Sequence, residues 1–437
     1  MGLEISRRLQ GVPPMGVRTE INTSEIPLLF KRFEGMVGKR HWTKRIANVK
    51  SEMRGNRLLR ELLARENSVA FGLEKSDQLL SRYGIFPDGE ISDPSMYEAL
   101  TLVGQSLSII DSVPAEEGLR FIRRLHGAFR NPPDMRALQL ELSMATHFVK
   151  RGFEIEWPEM TKTASNDIWV PAIGPTGLNV ECKSVSNDKG RKIHEREALE
   201  FYHLLEPKML KISKTLKVGV SVVVTLDGRL PKQFSDRQRL ANEVHSYLLS
   251  GRVSDDMEGV GFRVNEFSPH ELGVKMVDGS PQVMRATVDR ISNTENRSSL
   301  VIGGAAGGVL AITLQSRGDD SFLDSVFSTL IDSAKNQLVP DKAAFFMVGL
   351  YGITPPALQS LAEDDNSIGK TPSALRVKVS DFLSRLGQDH VVGVAFVSGQ
   401  SMIEPEGGVV SAGGITYAFP KTESPFWSAA FARLFPF

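Results

Sequence analysis

The sequence predicts an α/β fold of α+β character, a mixed central sheet flanked by helices, and three observations predict it. Two short apolar strands, one opening at Asp167 and one over 178–183, face each other across Gly174-Pro175-Thr176-Gly177, a run with turn chemistry. A helical pattern over 134–150 precedes them. After them the order strand, helix, strand occurs twice, at 178–183, 191–214, 218–225 and again at 309–315, 320–337, 343–350. Such mixtures settle as sheets covered by helical layers.

Taking the elements in order, residues 1–133 read as a helical, partly basic region, with helices over 43–66, 74–83, 94–111 and 114–128 broken by Pro87, Pro94 and Pro114. Between Lys31 and Arg65 stand eleven basic residues, opposed only by Glu34, Glu52 and Glu61, with Phe30, Phe33, His41 and Trp42 interleaved. Such a segment suits contact with phosphates and stacking on bases. Lys39, Arg40, Trp42, Lys44 and Arg45 are its candidate nucleic-acid-binding residues. The plainer alternative is a solvated helix face. Arg120, Arg123, Arg124, Arg130 and Arg136 continue the basic tendency.

The helix over 134–150 follows Pro132-Pro133, with Asp134 available to cap it. Its apolar arc runs through Leu138, Leu142, Ala145 and Phe148, and Glu141 falls near the middle of that arc. A carboxylate aimed into a fold is costly unless something pairs with it, so Lys183 or a bound cation is the expected partner. A strand over 153–157 is expected next. In the hairpin, side chains alternate, so Leu178, Val180 and Cys182 face one way and Asn179, Glu181 and Lys183 the other. Asp167 and Trp169 share a face on the preceding strand. Antiparallel pairing then brings Asp167 and Glu181 together near a sheet edge. Two carboxylates that close repel unless a cation lies between them, and hard oxygen ligands suit Mg²⁺ or Mn²⁺. A bland alternative is a charged pair on a solvated strand face.

Helix with Glu141, strand, hairpin acid Asp167, the triplet Glu181-Cys182-Lys183, then a long helix and another strand: this order resembles the PD-(D/E)XK, or restriction-endonuclease-like, nuclease superfamily. The resemblance covers about residues 134–267. It implies a nuclease core in which Asp167, Glu181 and the backbone carbonyl of Cys182 bind Mg²⁺. Lys183 would orient or activate the attacking water and offset charge on the scissile phosphate, and Glu141 would help hold a metal or its waters. The chemistry needs this set, because the cation polarises phosphoryl oxygens and makes hydroxide accessible near neutral pH. Two departures stand out. Asn166, not proline, precedes Asp167, and the Gln-x-x-x-Tyr element of the exonuclease-like branch is unmatched, since Ala198 occupies the glutamine's place before Tyr202.

The helix over 191–214 is amphipathic through Leu199, Tyr202, Leu205, Met209 and Ile212, with Pro207 as an expected kink. Strand 218–225, helix 235–250 and strand 259–267 complete the expected core. Residues 268–437 form a C-terminal α/β region. Setting Ile312-Thr313-Leu314-Gln315-Ser316 on Val180-Glu181-Cys182-Lys183-Ser184 places Thr313 and Gln315 where catalytic groups would sit. A degenerate second nuclease-like unit is one reading, and a recurrent strand–helix–strand motif the other. Gly303 to Gly308 lacks the Lys-Ser/Thr of a phosphate loop, so a turn between strands is expected. His194 and His203 have no metal-ligand partner at useful spacing.

Composition sets outer bounds. The chain has 437 residues, 41% hydrophobic and 24% charged, with formal net charge zero, which suits an ordinary globular protein of two or three domains. Cys182 is the lone cysteine, so internal disulfides and cysteine-rich zinc sites are excluded. Met1-Gly2 with Ser6 fits a myristoylation pattern that chance readily explains. No run is long and apolar enough for a bilayer, no secretory signal opens the chain, and the cytoplasm is the expected location. The expected function is Mg²⁺-dependent DNA endonuclease action in restriction, foreign-DNA defence or repair, with RNA the other nucleic acid in view. The setting comes from the superfamily alone. Double-strand cleavage would need two sites and so points to a homodimer. Two alternatives stand beside it: a catalytically silent nuclease-like fold that binds nucleic acid or a protein, and a structural subunit docking a partner through 268–437.

Overall fold

A computed structural model describes residues 17–257, 259–272, 281–294, 298–399, 401–406 and 409–435. The Met1-Gly2 and Ser6 pattern lies outside the described residues. The chain forms two compact units, one of residues 1–49, 64–189 and 323–437, the other of residues 50–63 and 190–322. Each holds one five-stranded mixed sheet flanked by helices, so the predicted α/β class is observed. No helix among the described residues is long and apolar enough to cross a membrane.

The first unit opens with helices, numbering those of seven residues or more. These are α1 (Ile26–Val37), α2 (Arg40–Gly55), α3 (Arg60–Glu66), α4 (Ser68–Tyr83), α5 (Pro94–Ser112), α6 (Ala115–Ala128) and α7 (Pro132–Lys150). The division between units falls within α2 and α3. The single helix expected over 43–66 is broken after Gly55, where Asn56 turns extended and its side chain accepts from the Leu58 amide. Asparagine at such a position satisfies a helix-start donor and begins a new turn. The expected strand over 153–157 reduces to one bridge, Glu156 opposite Trp169. Pro158 then lacks a donor for further pairing and starts a one-turn helix.

The first sheet begins with β1 (Ile168–Val170) and β2 (Leu178–Val185), an antiparallel hairpin with Ile168 opposite Val180. The turn needs its glycines. Gly177 has φ +73°, and a Cβ there would lie 2.3 Å from the Trp169 ring. The chain then leaves through α8 (Glu195–Ser213), β3 (Gly219–Leu226), α9 (Phe234–Leu249), β4 (Ser254–Met257), β5 (Val260–Phe267), α10 (Pro281–Ser292), β6 (Ser299–Gly303) and β7 (Val309–Ser316). It returns through α11 (Phe322–Asn336), β8 (Ala344–Leu350), α12 (Pro355–Asn366), α13 (Ala374–Leu383), β9 (Val391–Val397), β10 (Ser401–Glu406), β11 (Val409–Gly413) and β12 (Thr416–Pro420).

The first sheet has the order β1-β2-β8-β9-β12, with β2, β8 and β9 parallel. β8 and β9 are buried at every residue, as expected of parallel strands covered on both faces. On one face α7 packs Leu140 against Gly349; on the other, α11 sets Phe327 against Phe396, and Phe382 of α13 meets Phe346. The second sheet has the order β4-β5-β3-β7-β6. The expected boundaries at 133/134 and 267/268 therefore fall inside compact units. Strand 218–225 pairs with β7 rather than with β2, and the parallel neighbour of β2 is β8, Glu181 lying opposite Phe346. Order along the chain does not say which sheet a strand joins, and β3 and β8 are both apolar runs suited to a parallel interior.

The two hairpins have the same register. Ile168 pairs with Val180 and Leu300 with Ile312, and each second strand has one parallel neighbour. The layers are reversed, however. The Ile312 face of the second sheet carries α8, and α10 packs on Val309 and Ala311 of the opposite face. In the first sheet α11 covers the Lys183 face and α7 the Val180 face. The segment from Gly303 to Gly308 is a turn joining β6 and β7, as expected.

In α2, Trp42, Ile46 and Val49 recur at helical spacing and are buried. Trp42 stacks on Phe33 at 6.0 Å between centroids and lies 5.8 Å from Phe129. Truncating it therefore opens a core cavity. Trp42→Ala is expected to lower unfolding free energy by about 3–5 kcal/mol in denaturant titration. A midpoint equal to wild type would sink the core assignment.

Candidate active site

Asp167 sits at the entry to β1. The buried Asn166 amide donates to the Ile168 carbonyl at 2.9 Å, and Asp167 Oδ2 accepts from the Cys182 N–H at 2.7 Å. This second bond ties the hairpin acid to the middle of the triplet. Alternation along β2 puts Glu181 and Lys183 on one face, and Lys183 Nζ donates to Glu181 Oε1 at 2.6 Å. Lys183 also donates to Gln337 Oε1 at 2.8 Å, just beyond α11. Glu141, on α7, is 3% exposed. Its Oε1 accepts from Arg124 of α6 at 2.5 Å, and a second Arg124 nitrogen lies 3.8 Å from Glu159. The partner of Glu141 is thus Arg124 rather than Lys183, because α6 packs alongside α7 while Lys183 is held by Glu181 and Gln337.

The electrostatics bind these groups into one cluster. Burial, reinforced by the charge of Asp167, pushes Glu141 up to about 8 and Glu181 up to about 8. Burial raises half-buried Asp167 to about 6, with the Cys182 N–H pulling the other way. Burial works against the Arg124 charge, but Glu141 outweighs it and holds the guanidinium protonated. Burial and the surrounding carboxylates drive the Cys182 thiol well above its ordinary value, which fits a small core side chain rather than a nucleophile.

These residues can be tested as a home for a divalent cation. Glu141 Oε2 and Glu181 Oε2 are buried with no hydrogen-bond partner, which is costly for acceptors and is what a cation would relieve. The donor set is lean: among the described residues no three His, Cys, Asp or Glu groups gather to hold a metal. The set on offer is Asp167, Glu181 and the Cys182 carbonyl. In a strand a residue's N–H and C=O point to the same side, so that carbonyl faces the side where Asp167 bonds the N–H. The unpartnered Glu181 oxygen, the Asp167 carboxylate and the Cys182 carbonyl fit a cation completed by water.

The other expected site residues divide. Lys39 pairs with Asp77 at 2.6 Å and with Glu34 at 3.7 Å. Arg40 and Lys44 are exposed, and Arg45 donates to Asn67 at 2.7 Å. Trp42, Phe30 and Phe33 are buried, so none is placed to stack on bases; their helical spacing turns them to the core and the basic residues outward. In the second sheet, Thr313 is buried and its hydroxyl lies 2.9 Å from that of Ser299, while Gln315 bonds Thr225 and Thr294. That polar ladder is neutral and carries none of the charges found at Asp167, Glu181 and Lys183. Tyr202 donates to the Ser298 carbonyl at 2.7 Å and belongs to the second unit. Arg124, Glu159 and Gln337 are the members that sequence reading missed. Arg124 appeared only as part of a basic run, and nothing local marks Gln337.

A scan against protein-family models and searches of curated proteins and of solved structures find no match to this chain.

The raised acids make a prediction with a definite sign. The folded protein holds protons on Glu141 and Glu181 that the unfolded chain has already released, so stability falls as pH rises from about 4.5 towards 8. In EDTA, wild type should lose more melting temperature between pH 5 and 8 than Glu141→Gln, and Mg²⁺ or Mn²⁺ at pH 8 should restore it. Parallel pH profiles for the two proteins would contradict this cause.

Proposed function

We propose that the chain hydrolyses phosphodiester bonds of nucleic acid with a divalent cation, Mg²⁺ or Mn²⁺, held by Asp167, Glu181 and the Cys182 carbonyl. The observation that carries this reading is the buried Glu181, one of its oxygens without a hydrogen-bond partner, held beside Lys183 on the strand whose Cys182 N–H fixes Asp167. DNA is the expected substrate and endonucleolytic cleavage the expected mode, serving restriction, foreign-DNA defence or repair. When bound, the cation would polarise a phosphoryl oxygen and lower the pKa of a coordinated water. The chain's own residues supply the rest. The Cys182 N–H fixes the Asp167 carboxylate in one orientation. Gln337 and Glu181 hold the Lys183 ammonium in place, where it offsets phosphate charge and orients the attacking water. Arg124 holds Glu141, which feels the charge of Asp167 from the α7 side of β2 and would serve as a second-layer acid able to hold a metal-bound water.

A second reading is a catalytically silent fold that binds nucleic acid or docks a protein. One observation favours it: Arg124 and Lys183 already pair with Glu141 and Glu181, and the ligand set is lean. The two are separated by a divalent-metal panel on supercoiled, linear and single-stranded substrates. Wild type should nick supercoiled plasmid with Mg²⁺ or Mn²⁺, and Asp167→Ala and Lys183→Ala should each lose roughly a hundredfold or more in rate while still binding DNA. Binding without scission across all metals and substrates would select the silent reading.

A further inference from the structure

A second feature of the first unit has no part in the carboxylate cluster. Arg40, His41, Lys44, Arg45, Asn48 and Arg130 line a cleft of about 440 Å³ with no acidic residue in its wall. Several cations elsewhere on these helices are matched: Lys39 with Asp77, Arg32 with Asp111, Lys75 with Glu90 and Asp93. Arg40, Lys44 and Arg130 make no ion pair among the described residues. Like charges gathered in one concavity repel, and an anion between them turns that cost into attraction.

The cleft is also built rather than incidental. The His41 ring lies flat on that of His126, centroids 3.5 Å apart and planes within 11°. His126 Nε2 lies 2.8 Å from the Val37 carbonyl, which can only accept, so that nitrogen carries the proton and the stack is fixed in place. Asn67 holds Arg45 by its Nε. The cleft opens at the first turn of α2, whose positive dipole end adds to the side-chain charge.

We propose that this cleft is a phosphate-binding subsite that takes a backbone phosphate of a nucleic-acid strand. The assignment of the strand rests on the nuclease reading; the affinity for a phosphate group does not. Its volume exceeds what a lone phosphate fills, leaving room for the adjoining sugar. Arg124 of α6 holds Glu141, and Arg130, two residues past the end of α6, lines the cleft, so one short stretch of chain contributes to both places.

The test is binding of a labelled duplex in EDTA, where no cleavage intervenes, over a salt series. Lys44→Gln combined with Arg130→Gln should weaken binding about tenfold and make the slope of log K against log salt shallower by about two. Lys39→Gln, which loses a lysine already paired to Asp77, should leave the slope unchanged. Melting curves establish that each variant is folded. Inorganic pyrophosphate should compete with the duplex on wild type and lose that effect in the double variant. An unaltered slope in the folded double variant overturns the proposal. Pyrophosphate bound in the cleft with an unaltered duplex slope assigns it to a free phosphate ligand and overturns the strand. A plasmid that is never nicked, with the salt effect intact, removes the nuclease reading and leaves the subsite standing.

Discussion

Glu141, Asp167 and Glu181 cannot all be charged at once without help, and the arrangement around β2 answers to that constraint. Each lies in or beside a low-dielectric interior, and the charge of Asp167 raises the cost of ionising both Glu141 and Glu181. The protein meets the constraint in part with its own donors: Arg124 for Glu141, Lys183 for Glu181, the Cys182 N–H for Asp167. Two oxygens are left over. Removing one partner of such a set is far more damaging than never having built it, so the arrangement holds together or fails as a unit.

The sheet explains why the constraint can be sustained. β1 is short and begins only at Ile168, so beyond Val180 the outer side of β2 is free of a strand among the described residues, and Asp167 reaches the Cys182 amide there. On its inner side β2 is locked in register to β8, whose residues are buried throughout. A rigid strand with one open side leaves Asp167 and Lys183 partly exposed while Glu181 stays buried.

Much of this was legible in the sequence, and the failures have physical causes. Period-two alternation identified the shared face of Glu181 and Lys183, and the Gly-Pro-Thr-Gly run located the hairpin. Helical period predicted that Glu141 points inward, and the structure agrees. The same period, applied to Trp42, Ile46 and Val49, would have shown Trp42 to be core, but the surrounding basic run drew attention to solvent instead. The choice of strand neighbour was not readable, because β3 and β8 have equivalent apolar patterns and the pairing is decided by tertiary packing. Gln337 and Arg124 are reached only through space, one across the sheet and the other across a helix pair. The aligned stretch at Thr313 and Gln315 did match β2 in hairpin register, yet the helices lie on reversed faces. Strand pattern reports pairing, not the layer that covers it.

The link between Lys183 and Gln337 has a consequence for the order in which the protein is made. The whole of 190–322 is synthesised between them, and β8, which braces the triplet strand, comes later still. A chain still emerging from the ribosome has the acids early but neither the amide that steadies the lysine nor the strand that stiffens its backbone. The candidate centre is thus assembled last, by a segment translated long after its own motif, and an interrupted polypeptide carries the motif without the machinery.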